Sequence, residues 1–134
     1  MYGPSITADT AKKIAPAAIA EAKKNSWTMA IAIVDTHGEL VYFERMDDVQ
    51  QGSVDVALAK ARSAARFKRP TKTFQDGLAA GGAGLRLLSL EGAVPVEGGI
   101  PLVVGGKIVG AIGASGGTSE QDGVVAAAAV AQLK

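Results

Sequence analysis

The segment Gly98-Gly99-Ile100-Pro101-Leu102-Val103-Val104-Gly105-Gly106-Lys107-Ile108-Val109-Gly110-Ala111-Ile112-Gly113-Ala114-Ser115-Gly116-Gly117-Thr118 holds two apolar runs separated by Gly105-Gly106. A glycine pair between such runs marks a two-residue hairpin turn, because its central positions need positive φ. The second run stops at Ser115-Gly116-Gly117, and an alanine-rich stretch of helical character follows. Thr118 with Gln121 matches a capping box for a last helix reaching about Leu133. A strand feeding a glycine turn and a helix start leaves backbone N–H groups free at the positive end of the helix dipole. Ser115, Gly116 and Gly117 are therefore candidates for holding an anion. Tight packing of strand on helix is the competing use of the same glycines.

Upstream of this hairpin, Ala93 to Val96 reads as a short strand, and Met29 to Val34 as a nearly continuous apolar, central one. Asp35-Thr36-His37-Gly38 is a turn, and Glu39 to Met46 returns as the partner strand. A first helix, capped by Thr7 or Ser5, runs to about Lys24 with Ile14, Ala15, Ala18, Ile19 and Ala22 on one face. Pro16 should kink or split it, since it removes the bond to Lys12. Ser53 is the expected cap of a helix from Val54 to Phe67, with Val54, Ala57, Leu58, Ala61 and Ala65 as its buried stripe. Pro70 interrupts that helix, and Thr71 to Leu78 forms a short one. Ala79 to Gly84 is too glycine-rich to be regular, and leads into the apolar Leu85 to Leu90. The order α-β-β-α-α-β-β-β-α predicts an α+β domain with helices packed on an antiparallel sheet.

Composition sets the bounds. The 134 residues, 48% hydrophobic and 20% charged, fit one soluble globular domain spanning residues 1–134. A net charge of +1 gives no bias toward nucleic acid or membrane, and no apolar run nears the roughly 20 residues of a membrane span. The absence of cysteine excludes disulfides, thiolate metal sites and cysteine nucleophiles. Met1-Tyr2-Gly3-Pro4-Ser5 has no basic n-region or apolar h-region, so a cytoplasmic location is expected.

The segments Ile33-Val34-Asp35-Thr36-His37-Gly38-Glu39-Leu40-Val41, Glu44-Arg45-Met46-Asp47-Asp48, Lys60-Ala61-Arg62-Ser63-Ala64-Ala65 and Gly98-Gly99-Ile100-Pro101-Leu102 through Gly117 occur in that order. Together they resemble the GlcG/HbpS family, also called the haem-degrading-domain family, which includes the C-terminal domain of PduO-type proteins. The resemblance spans nearly the whole chain. It implies a five-stranded antiparallel sheet flanked by helices, of profilin or PAS type, and homo-oligomers from dimers to octamers. It also implies haem binding or haem degradation in some members, whereas others accompany catabolic genes for small organic acids. In some haem-binding relatives the iron ligand is expected on the first helix, where this chain has no histidine.

Several residues are candidates for ligand chemistry. Lys60, Arg62, Arg66, Lys68, Arg69 and Lys72 fall in a stretch without an acidic residue. Cations flanking the helix stripe suit haem propionates or a small carboxylate, against a solvated helix face or a subunit contact. Nucleic acid is disfavoured because no aromatics interleave with them. Arg45 at the end of the second strand is placed to clamp a carboxylate. Asp47 would serve as a base or orient Arg45, or the two would simply pair. Met46 is a soft candidate for iron or a core filler. His37, the only histidine, is the candidate metal ligand, against an exposed turn residue. Its replacement should spare much of any haem binding. No paired-histidine motif supports another metal site, and Ala114-Ser115-Gly116-Gly117 is not a nucleophile elbow. The expected pocket lies between Gly98-Gly99-Ile100-Pro101, the Ser115–Gly117 turn and Lys60, with Gly99 and Pro101 in its wall. Two functions follow: a haem-binding or haem-handling oligomer, as the resemblance implies, or an enzyme or sensor for a small organic acid.

Overall fold

The computed structural model describes all 134 residues. The elements run α1 (Ala8–Lys24), β1 (Ala30–Val34), β2 (Leu40–Arg45), α2 (Ser53–Phe67), α3 (Thr71–Ala79), a 3-10 segment (Gly82–Ser89), β3 (Gly99–Val104), β4 (Lys107–Ser115) and α4 (Ser119–Val130). The sheet has the order β2-β1-β4-β3, and every pairing is antiparallel. Gly105 and Gly106, at φ +58° and +77°, close the β3–β4 hairpin as the sequence predicts.

β1 is buried throughout, and its alternation divides the core in two. Ile31 and Ile33 join Ile112, Ala114 and Leu102 under α1 and α4. On the opposite face Ala30, Ala32, Val34 and Ala111 meet Ala57, Ala61, Ala64 and Ala65 of α2. Small side chains let α2 lie very close to the sheet. A Cβ on Gly113 would collide with the Ala57 carbonyl, and one on Gly99 with the Lys60 carbonyl.

Four local expectations are corrected. The sheet has four strands rather than five, because Ala93 to Val96 forms no strand. Pro95 lacks an N–H, and neighbouring donors go to side chains instead: Val94 N–H to Ser63 Oγ (3.0 Å) and Glu97 N–H to Gln75 Oε1 (2.8 Å). α1 runs unbroken through Pro16, which sits on its exposed side, where water can satisfy the Lys12 carbonyl. The buried face of Ile14, Ala15, Ala18 and Ile19 holds both halves in line. Ser53 is the first residue of α2 and not its cap; its hydroxyl is buried beside Ser115 Oγ at 3.2 Å. Within Ala79 to Gly84, expected to be irregular, Ala79 ends α3 and Gly82 opens the 3-10 segment that continues to Ser89, whose Leu85 and Leu88 remain 56% and 70% exposed. At the helix starts, Thr7 caps α1 and Thr118 with Gln121 forms the capping box of α4.

Candidate functional site

The expected pocket residues do come together, but around an internal ion pair. Lys60 is 1% exposed, and its ammonium donates to Asp122 Oδ2 at 2.7 Å and to the Ala114 carbonyl at 3.1 Å. Gly98 makes room for it, since a Cβ there would stand 2.8 Å from Nζ. Asp122 Oδ1 accepts the Gly117 N–H at 2.9 Å, and Gln121 Oε1 accepts the Thr118 N–H at 3.1 Å. The helix start that the sequence offers to an anion is thus occupied by the chain's own side chains. Ser115 is bonded to Ser53, which also accepts from Gln50 Nε2 at 3.0 Å. Gly99 is tied through its N–H to Thr71 Oγ1 at 2.9 Å, and Pro101 lies in the edge strand β3. Lys60 therefore locks α2 to α4 and β4. A carboxylate entering here would have to displace Asp122.

Arg45 and Ser115 share one row of the sheet, each paired with Ala30, so their Cα atoms lie roughly 10 Å apart. Arg45 does not pair with Asp47; both are exposed, and neither has an ion-pair partner. Instead Lys23, Glu44, Arg45, Met46 and Asp47 line a cavity of about 270 Å³. A second of about 350 Å³, lined by Pro16, Ile19, Ala20, Lys23 and Glu44, adjoins it through Lys23 and Glu44. The two form one groove between α1 and β2, apolar at one end and charged at the other.

Residues 16, 19, 20 and 23 recur at the spacing of a single helix face, and this gives the groove its α1 wall. On β2, Tyr42 and Glu44 project on the same side, and the phenol donates to Glu44 Oε1 at 2.7 Å. Burial, then the hydrogen bond and the charge of Glu44, push the Tyr42 phenol up to about 12. Tyr42 thus stays a hydrogen-bond donor that fixes the Glu44 carboxylate in the groove wall.

A model described as "Haem degrading protein HbpS-like" matches residues 6–131. The chain belongs to the HbpS-like family. An uncharacterised 15.0 kDa protein from the dhaT-dhaS intergenic region of Citrobacter freundii is 36% identical over 128 residues, which is 94% of this chain and 90% of that one. Protein GlcG of Escherichia coli K12 is 38% identical over 95 residues, 71% of this chain and 69% of its own. Among solved structures, a PduOC:heme complex superposes with a TM-score of 0.87 at 28% identity, covering 97% of this chain and 96% of that one.

Within this HbpS-like chain, His37 stands apart from the groove. It is exposed in the turn after β1, whereas Arg45 pairs with the first residue of β1, roughly 15 Å away along the strand. Its carbonyl accepts from Arg66 Nε at 2.9 Å, and the Gly38 carbonyl accepts from Arg62 Nε at 3.0 Å. No three His, Asp or Glu side chains converge to hold a metal ion, and no helix is long and apolar enough to cross a membrane. Sequence reasoning missed Lys23, Ile19 and Glu44. Their signals are the 16-19-20-23 helix face and the 42-44 strand alternation.

Proposed function

We propose that this HbpS-like protein binds haem in the groove between α1 and β2, as a homo-oligomer. The groove itself carries the reading: an apolar wall of Pro16, Ile19 and Ala20 ends at a charged rim where Lys23 and Arg45, two cations with no ion-pair partner, stand beside Glu44, held by Tyr42, and Asp47. A porphyrin presents the same contrast, a flat apolar ring with anionic propionates at one edge. The residues present fit the group: Lys23 and Arg45 would hold the propionates, and half-buried Met46 offers a thioether to iron. Bound haem would supply redox-active iron, and the chain's own part is to shield the ring and neutralise its charge. The PduOC structure solved with haem, of the same fold, supports this reading.

Titration of the full chain with hemin, followed by absorbance, tests the proposal. A shifted Soret band is expected. Lys23→Ala combined with Arg45→Ala should weaken binding by about tenfold or more, since each shielded hydrogen bond to a charged group contributes about 1.5–3 kcal/mol. Met46→Leu should change the band position, and His37→Ala should leave most of the affinity intact. No Soret shift, or binding indifferent to the double replacement, overturns the assignment. Assembly is supported by Leu85 and Leu88 on the 3-10 segment and Leu90 just after it, all exposed. Light scattering should give a multiple of 13.5 kDa, from dimer to octamer, and a monomer mass at micromolar concentration would refute it.

A further inference from the structure

The side of α2 turned away from the alanine seam carries a second cavity, of about 330 Å³, that shares no residue with the groove. Asp55, Leu58, Ala59, Arg62 and Arg66 line it from the helix, at spacings of one face, and Val94 stands opposite. Arg62 and Arg66 are both held through Nε, by the carbonyls of Gly38 and His37. That anchoring leaves the terminal guanidinium nitrogens of Arg62 without a partner, and those of Arg66 with only a loose contact to Glu39 at 3.8 Å. An arginine fixed at Nε still offers its two terminal nitrogens end-on, the geometry that grips a carboxylate with two parallel hydrogen bonds. Two turns before Arg62 and three before Arg66, roughly 10 and 16 Å along the helix, Asp55 supplies an exposed carboxylate with no ion-pair partner. Leu58 and Ala59 form the apolar floor between these poles.

We propose that this cavity is a binding site for a short aliphatic zwitterion: its carboxylate on Arg62 and Arg66, its chain over Leu58 and Ala59, its ammonium toward Asp55. The site is independent of haem. The polarity of the cavity selects the ligand class, because a simple carboxylate leaves Asp55 unmatched and a simple amine meets two cations.

Calorimetric titration of the full chain, without hemin, uses 4-aminobutyrate as the probe, with butyrate and butylamine for comparison. Binding of 4-aminobutyrate is expected, with butyrate about tenfold weaker and butylamine weaker still, one lost charged contact being worth about that factor. Asp55→Asn should bring 4-aminobutyrate down to the level of butyrate and leave butyrate unchanged. Arg62→Ala should weaken both acids by at least about tenfold. Because Arg62 also ties α2 to the Gly38 turn, Ala59→Trp serves as the second variant: it fills the cavity from its half-buried floor and leaves both Nε bonds in place. It should abolish binding while circular dichroism stays unchanged. No heat from 4-aminobutyrate at millimolar concentration, or full binding by folded Ala59→Trp, overturns the proposal.

Discussion

The two faces of the sheet are built on opposite terms. Under α1 and α4 the sheet presents Ile31, Ile33, Ile112 and Leu102, and stability comes from the area these branched side chains remove from water. Under α2 it presents, Val34 apart, alanines and glycines, and the helix approaches until backbone meets backbone. The first face has bulk to spare, and a lost methyl leaves only a small void. The second has no slack, because its close fit depends on atoms that are absent. It also explains where the charged chemistry went. A helix seated this low brings the long side chains at its margins within reach of other elements, so Lys60 meets Asp122, and Arg62 and Arg66 meet the carbonyls of the β1–β2 turn.

Gly113→Ala would break this contrast most directly. Its new Cβ would meet the Ala57 carbonyl and come within 2.7 Å of the Ala61 nitrogen, and neither is the movable tip of a side chain. The expected loss exceeds about 4 kcal/mol, enough to unfold a domain of ordinary stability. Thermal and urea unfolding followed by circular dichroism would show it. A variant melting within a few degrees of the parent would mean that α2 can lift off the sheet at little cost.

The ion pair comes next. Asp122→Ala leaves the Lys60 ammonium buried with only the Ala114 carbonyl, and breaking such a pair typically costs about 3–5 kcal/mol. Adding Lys60→Met should recover most of that loss, since it removes the stranded charge and keeps the volume. The Gly117 N–H, released from Asp122, is exposed and can turn to water. Failure of the second replacement to restore stability would mean that the pair holds α4 in place by more than charge balance.

On the isoleucine face the same measurement should be mild. Ile33→Val removes one methyl from a fully buried side chain and should cost about 0.5–1.5 kcal/mol. Equal losses from Ile33→Val and Gly113→Ala would erase the distinction between the faces.

How far these features were legible follows from the range of the interactions. The β3–β4 hairpin, the capping box and the helix stripes are local, so Gly105-Gly106, Thr118/Gln121 and the spacing of Ile14 to Ala22 disclosed them. The strand expected at Ala93 to Val96 failed because Pro95 has no donor, the Val94 N–H is taken by Ser63 and the adjacent Glu97 N–H by Gln75, both more than twenty positions away. Lys60 was read as a helix margin open to a ligand for the same reason: its partner is 62 positions along the chain. The groove was illegible because its two walls, Lys23 and Glu44, mean nothing until α1 is laid beside β2.

The smallest effect probes the margin of the isoleucine face, where Tyr42 packs against the core and turns its hydroxyl to Glu44. Its phenol is pushed up from 10.0 to about 12, by burial first and by Glu44 second. The neutral form is thus favoured in the folded protein. Its contribution to stability is complete below pH 10 and fades as pH rises through about 12. In an ultraviolet titration Tyr42→Phe should remove the phenolate step near pH 12. Glu44→Gln then separates the causes. It removes the nearby charge while the amide can still accept the hydrogen bond, so most of the upward shift should survive if burial leads. A return of Tyr42 to pH 10 in Glu44→Gln would show instead that the carboxylate sets the shift, and that this edge of the isoleucine face is wetter than its packing suggests.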